Sequence, residues 1–151
     1  MGIMFNFYDW GLPNQAQHIA THADNEQVCN FVRSLWNSLD SVSTYFLATA
    51  VVVAVLAACC YYYVYNKLPG RKYRIRHWSI WLAGTAVVTI ISTIALGNAI
   101  VSSPLPELKK FIIRMSLING LYASVIYFIA SFIICNLPVP TNAYRFLKLG
   151  K

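Results

Sequence analysis

Charged residues are scarce in this chain. Asp, Glu, Lys and Arg make up 11% of its 151 residues, and only 5 residues are acidic. A soluble globular domain carries about 25% charged residues, so this sequence has too few charges to cover a surface that faces water. The shortage argues against a soluble enzyme. The 58% hydrophobic content argues equally against a disordered tail.

The sequence also lacks the residue patterns on which catalysis depends. It contains no paired carboxylates, no combination of a nucleophile with a base, and no glycine-rich phosphate loop. His18 and His22 have a spacing that places two zinc ligands on one helix face, but no third ligand is fixed beside them. We therefore expect neither enzyme activity nor a bound metal or other cofactor.

Three long stretches without charge dominate the rest of the chain: 41–66, 78–106 and 115–144. A helix needs about 20 apolar residues to cross the hydrocarbon of a bilayer, and each stretch contains such a segment. Short connections favour antiparallel neighbours. The sequence therefore predicts an all-α integral membrane protein with a bundle of three transmembrane helices, in residues 42–137.

The residues before the first stretch have a different pattern. Within 1–41, apolar side chains recur at helical spacing, which predicts an amphipathic helix that lies on the membrane surface or stands above the first span. Its apolar stripe is expected to bury against lipid, protein or a second copy, and comprises Val28, Phe31, Val32, Leu35, Trp36 and Leu39. Residues 138–151 form a short basic tail.

Charge placement predicts the orientation. The charges of the N-terminal segment are mostly acidic, whereas those of the first loop and the tail are all basic. The basic residues are Lys67, Arg71, Lys72, Arg74, Arg76, Arg145, Lys148 and Lys151. The positive-inside rule places these basic segments in the cytoplasm and the N-terminus outside. A bacterial inner membrane fits this pattern, and a mitochondrial inner membrane is the alternative. The net charge of +7 then indicates contact with anionic lipid headgroups and not with nucleic acid.

One charge lies close to a span on the opposite side. Arg114 directly precedes the third stretch, at the end of that span, where its side chain can extend to the outer interface. Asp40 and Glu107 are its predicted partners. No acidic residue lies within the stretches themselves, which counts against a proton-coupled transporter.

Small residues recur every four positions in all three predicted spans. Such faces let helix backbones approach closely. An alternative interpretation is that the hydroxyl groups of the second span line a narrow polar path in an oligomer. The candidate residues for packing or pore lining are Ala50, Ala54, Ala58, Thr85, Thr89, Ser92, Thr93, Gly97, Ser116, Gly120 and Ser124.

Two functional hypotheses follow. The first is a non-enzymatic membrane protein that self-associates, or that anchors a larger complex together with other membrane subunits. The second is a homo-oligomeric pore or channel that permeabilises the membrane. Three spans with an outer N-terminus and a basic inner tail resemble, in layout alone, the small phage pore-formers of the holin kind.

Overall fold

The computed structural model of the protein describes residues 8, 10, 12, 14–21, 26–65, 75–100 and 106–137, with side chains from Lys109 onward in the last range. All regular structure in these residues is helical, as predicted. The helices are α1 (Gln15–Ala20), α2 (Glu26–Cys59), α3 (Ile75–Ile100) and α4 (Pro106–Asn136). A π-helical turn over Cys60–Val64 extends α2.

Three helical segments are long and apolar enough to cross a membrane: Glu26–Val64, Ile75–Ile100 and Lys109–Asn136. This confirms the three predicted membrane-length helices and indicates a membrane protein. Only 22–39% of the residues in their most apolar windows are buried within the chain. Most residues of each window are therefore not covered by the chain's own described residues.

The first of these three segments, formed by α2 and its π-helical turn, is much longer than a membrane span. Its 39 residues correspond to about 58 Å at 1.5 Å per residue, against about 30 Å of hydrocarbon. The boundary predicted between residues 41 and 42 lies inside this continuous helix. The predicted amphipathic segment is thus the first half of α2 and stands on the first span, which was one of its two expected placements.

The helix α4 begins at Pro106, before the charge-free stretch that starts at residue 115, and it includes the charged residues up to Lys110. Proline suits the first turn of a helix because its missing N–H has no partner there in any case. The helix ends at Asn136, just before Pro138, where the prolines were expected to stop the third span.

Two hydrophobic cores lie along the bundle. The upper core, at the end where α2 begins, contains Tyr8, Leu12, Val32, Leu35, Trp36, Leu39, Val42, Phe46, Phe111, Ile112, Met115 and Ile118. The lower core lies at the end where α2 leads into α3 and contains Ala50, Ala54, Ala58, Tyr61, Tyr62, Trp78, Ala123, Tyr127, Ile134 and Cys135. Residues near the N-terminus complete the upper core, since Tyr8 and Leu12 are buried against the protein's own helices.

Candidate functional site

The small-residue faces of the three spans lie inside the protein. They meet along the centre of the bundle and not on its outer surface, so the chain itself occupies the faces that were candidates for packing or pore lining. Ser92 and Ser124 are half-buried. The fully buried positions are Ala50, Ala54, Ala58, Thr85, Thr89, Thr93, Gly97, Ser116 and Gly120.

Two glycines set how closely the helices approach. A Cβ atom on Gly120 would lie 2.6 Å from Cγ1 of Ile90 and 3.4 Å from the carbonyl oxygen of Ala86. A Cβ atom on Gly97 would lie 2.8 Å from Cγ2 of Ile112 and 3.0 Å from Cζ of Phe46. The absence of a side chain at these positions is therefore what lets α3 approach α4 and α2.

The threonine hydroxyls of α3 bond to their own helix. Thr85 donates to the carbonyl oxygen of Trp81 at 2.7 Å, and Thr89 donates to that of Thr85 at 2.8 Å. Thr93 continues the series by donating to the carbonyl oxygen of Thr89 at 2.8 Å. Such bonds satisfy a buried hydroxyl without a partner on a second helix. The stripe thus acts in this structure as a narrow packing surface.

A buried asparagine joins the N-terminal segment to two helices. The side-chain amide of Asn119, on α4, donates to the carbonyl oxygen of Phe46 on α2 at 2.7 Å. Its side-chain oxygen accepts a hydrogen bond from the hydroxyl of Tyr8 at 3.1 Å. Both side chains are fully buried. An amide in this position is costly to bury unless both of its ends find partners, and here they do.

Sequence analysis did not single out Asn119. The usable indication was its type, because an asparagine inside an apolar span needs a hydrogen-bonding partner. Its partner could not be inferred, since Tyr8 is 111 residues away in a segment with no clear pattern.

Aromatic contacts hold the same segment against α4. The indole N–H of Trp10 donates to the hydroxyl of Tyr122 at 2.9 Å, and the rings of Tyr8 and Tyr122 meet edge to face with centroids 6.0 Å apart. Burial, and secondarily the nearby Tyr122, raise the pKa of the Tyr8 phenol well above its ordinary value. Tyr8 therefore keeps the proton that it donates to Asn119.

The upper end of the bundle carries a second aromatic group around His18. Its ring lies 5.8 Å from that of Phe111 and 6.0 Å from that of Trp36, centroid to centroid. The indole N–H of Trp36 donates to Nδ1 of His18 at 3.3 Å. His22, the other half of the weak zinc pattern, lies outside the described residues. Within the described part of the chain, no group of three metal-ligating residues comes together.

The lower core has polar contacts of its own. The indole N–H of Trp78, on α3, donates to Oγ of Ser131 on α4 at 3.2 Å. The thiol of Cys135 donates to the hydroxyl of Tyr62 at 3.1 Å, which links α4 to the π-helical turn after α2. These bonds fasten all three spans together near the connection between α2 and α3.

The charged residues are less fully described. Arg76 and Arg114 are exposed, and Asp40 is half-buried. The exposure of Arg114 agrees with a side chain that extends to an interface, and its predicted pairing with Asp40 or Glu107 stays a prediction. The remaining predicted charged positions lie outside the residues whose side chains are described, namely Lys67, Arg71, Lys72, Arg74, Glu107, Arg145 and Lys148.

Comparison of the chain with known protein families, with curated proteins and with solved structures gives no match in any of the three. Function therefore has to be argued from the geometry described above.

Proposed function

We propose that this chain is a non-enzymatic, multi-pass membrane protein that self-associates or anchors a larger membrane complex. The observation that carries the proposal is the upper half of α2, which continues well beyond a membrane span and is braced by residues near the N-terminus and by α4. A rigid extension of this kind can present a surface to a partner at a fixed height above the bilayer.

The extension leaves apolar side chains exposed. The predicted stripe of α2 is only partly buried, since Val28 and Phe31 are 37% and 39% exposed. In water such apolar side chains favour contact with another protein. They supply the kind of surface that an anchoring subunit requires.

The pore hypothesis has less support. The hydroxyls that were to line a polar path face the interior of the bundle, where each of Thr85, Thr89 and Thr93 bonds to a helix carbonyl. The exposed faces of the spans are rich in Val, Ile, Leu and Phe within the described residues. A ring of copies would bring these apolar faces, and not the threonines, to its axis.

The proposed orientation follows from charge. The upper end, with the N-terminal segment, lies outside, and the basic connection between α2 and α3 lies in the cytoplasm of a bacterial cell. Fusing a reporter that works only in the cytoplasm after Lys151 should give signal, and the same reporter before Met1 should not. The reverse result would contradict the orientation without touching the anchoring proposal.

The mass of the detergent-solubilised protein tests the anchoring proposal directly. We expect a complex larger than one chain, from self-association or from co-purifying subunits. Replacing Val28 and Phe31 with Ser should shrink it, because the exposed apolar surface is lost. The matched control replaces Asn30 and Asn37, which are exposed polar residues of the same half-helix. A monomer in the wild type would overturn the proposal.

Planar-bilayer recording separates the two hypotheses. The purified protein should show no unitary conductance. Reproducible conductance that falls on replacing Thr89 with Leu would establish the pore instead, since that change would then narrow a conducting path.

A further inference from the structure

An open groove runs along the seam between α2 and α3. Two adjoining hollows of about 310 and 380 Å³ share Val53 in their walls. Each is within the roughly 300–1,000 Å³ range of small-molecule sites. The lower hollow is walled by Ala57, Ile80, Trp81, Gly84, Thr85 and Val88.

The groove exists because this seam is the least filled of the three. α2 and α3 make fewer contacts with each other than either makes with α4. A Cβ atom on Gly84 would meet nothing within 4 Å, in contrast to Gly97 and Gly120. Gly84 therefore leaves space that the protein does not use for its own helix packing.

An exposed cation is in register with this groove. Arg76 lies four residues before Ile80, which is followed at the same interval by Gly84 and Val88, so all four share one face of α3. The last three line the groove. Arg76 is exposed one helical turn before Ile80, toward the end of the bundle where α2 leads into α3. In the sequence, the nine residues before α3, 66–74, include four basic residues and no acidic one.

We propose that the groove binds an acyl chain of an anionic phospholipid, with the lipid phosphate at Arg76. The apolar walls match the acyl chain, and the exposed cation of Arg76 on the same face of α3 matches the anionic headgroup. A second copy fits less well, because two chains inserted in the same direction would bring both Arg76 side chains and both basic connections to one level.

Quenching of Trp81 fluorescence by brominated lipids tests the site. The protein is reconstituted into phosphatidylcholine vesicles that contain either dibrominated phosphatidylglycerol or dibrominated phosphatidylcholine. The Trp81 signal is the difference between the wild type and Trp81→Phe. A preference of about fivefold for the anionic lipid is expected from one surface cation. Equal quenching by both lipids would overturn the proposal.

Two pairs of variants separate the acyl chain from the headgroup. Gly84→Leu should fill the groove and reduce quenching by both lipids, whereas Ala83→Leu, exposed on a neighbouring face of α3, should not. Arg76→Gln should remove the preference for the anionic lipid, and Arg114→Gln, at the other end of the bundle, should leave it. An effect of Arg114→Gln equal to that of Arg76→Gln would contradict a defined headgroup site.

The same quenching experiment also detects a second copy of the chain bound in the groove. In that case Trp81 would be shielded from both lipids, and Gly84→Leu would lower the mass of the solubilised protein, which would overturn the lipid site. The lipid proposal depends on the membrane location and not on self-association. A monomer that still shows the quenching preference would contradict only the anchoring proposal.

Discussion

The two ends of the bundle are packed from different side chains. The upper core is built from large residues such as Leu39, Phe46 and Trp36. The lower core places Ala50, Ala54 and Ala58 along the same helix and closes its end with aromatic rings. One continuous helix, α2, thus takes part in two kinds of packing.

The difference follows from the surroundings of each end. The upper half of α2 extends beyond a membrane span, where burial of apolar surface from water stabilises the fold. Lipid provides no comparable force between helices, so the spans gain stability from close contact of small residues and from hydrogen bonds. Asn119 lies at the boundary between these two kinds of packing, since it bonds to the carbonyl oxygen of Phe46, one turn before Ala50 on α2.

The largest expected effect is on the upper core. Trp36→Ala removes a side chain that is 2% exposed and packs against Phe111 and His18, and should cost about 3–5 kcal/mol. Thermal unfolding in detergent measures the loss. Hydrogen exchange should rise in α1 and in the first half of α2 while the amides of α3 stay protected.

Phe31→Ala is the matched control for this change. Phe31 is on the same half-helix but 39% exposed, so its replacement should cost well under half as much. If hydrogen exchange in Trp36→Ala rose as much in α3 as in the first half of α2, the two cores would unfold as one unit, and the contrast between them would be wrong.

The close approach of α3 and α4 gives the next largest effect. Gly120→Ala places a methyl group within 2.6 Å of Ile90 and should cost about 1–3 kcal/mol through overpacking. Gly84→Ala, on the open face of α3, should be neutral or raise stability by up to about 1 kcal/mol because alanine is the better helix former. The two midpoints of thermal unfolding, measured in one detergent, test this.

The difference in stability between Gly120→Ala and Gly84→Ala decides the test. If both changes were neutral, Ile90 would adjust freely and the lower half would not depend on close packing. If both were equally harmful, the seam between α2 and α3 would be closed and the groove at Gly84 would be absent.

Much of the architecture was predictable because it follows from composition. Charge-free stretches of sufficient length predict spans, and the four-residue spacing of Thr85, Thr89, Thr93 and Gly97 marks the face of α3 that is buried. The exact start of α4 did not follow from the charge-free stretch, because the helix continues beyond it through Lys109 and Lys110, where charged residues suit a helical turn outside the hydrocarbon.

The junction at the N-terminus was beyond prediction from the sequence. Tyr8 and Trp10 pack on the protein's own α4, through Asn119 and Tyr122. Such a contact depends on tertiary geometry and leaves no periodic pattern in the chain.

The hydrogen bond between Tyr8 and Asn119 should contribute less to the free energy of unfolding than the contacts above. In a double-mutant cycle, Tyr8→Phe and Asn119→Leu should each destabilise the fold, and their coupling should be about 1 kcal/mol. Chemical unfolding of the four proteins in mixed micelles measures it. Additive losses would show that this hydrogen bond contributes no measurable stability, and that Tyr8 is held by ring packing instead.

The smallest effect is expected from the threonine stripe. Thr89→Val removes a hydroxyl whose described bond is to the carbonyl oxygen of Thr85 in the same helix. That carbonyl keeps its backbone partner and the valine fills nearly the same space, so the loss of stability should stay below about 1 kcal/mol. Thermal unfolding of Thr89→Val beside Gly120→Ala measures the difference. A loss as large as that of Gly120→Ala would mean that the hydroxyls bridge between helices, and polar bonding would then replace close contact as the force that holds the spans together.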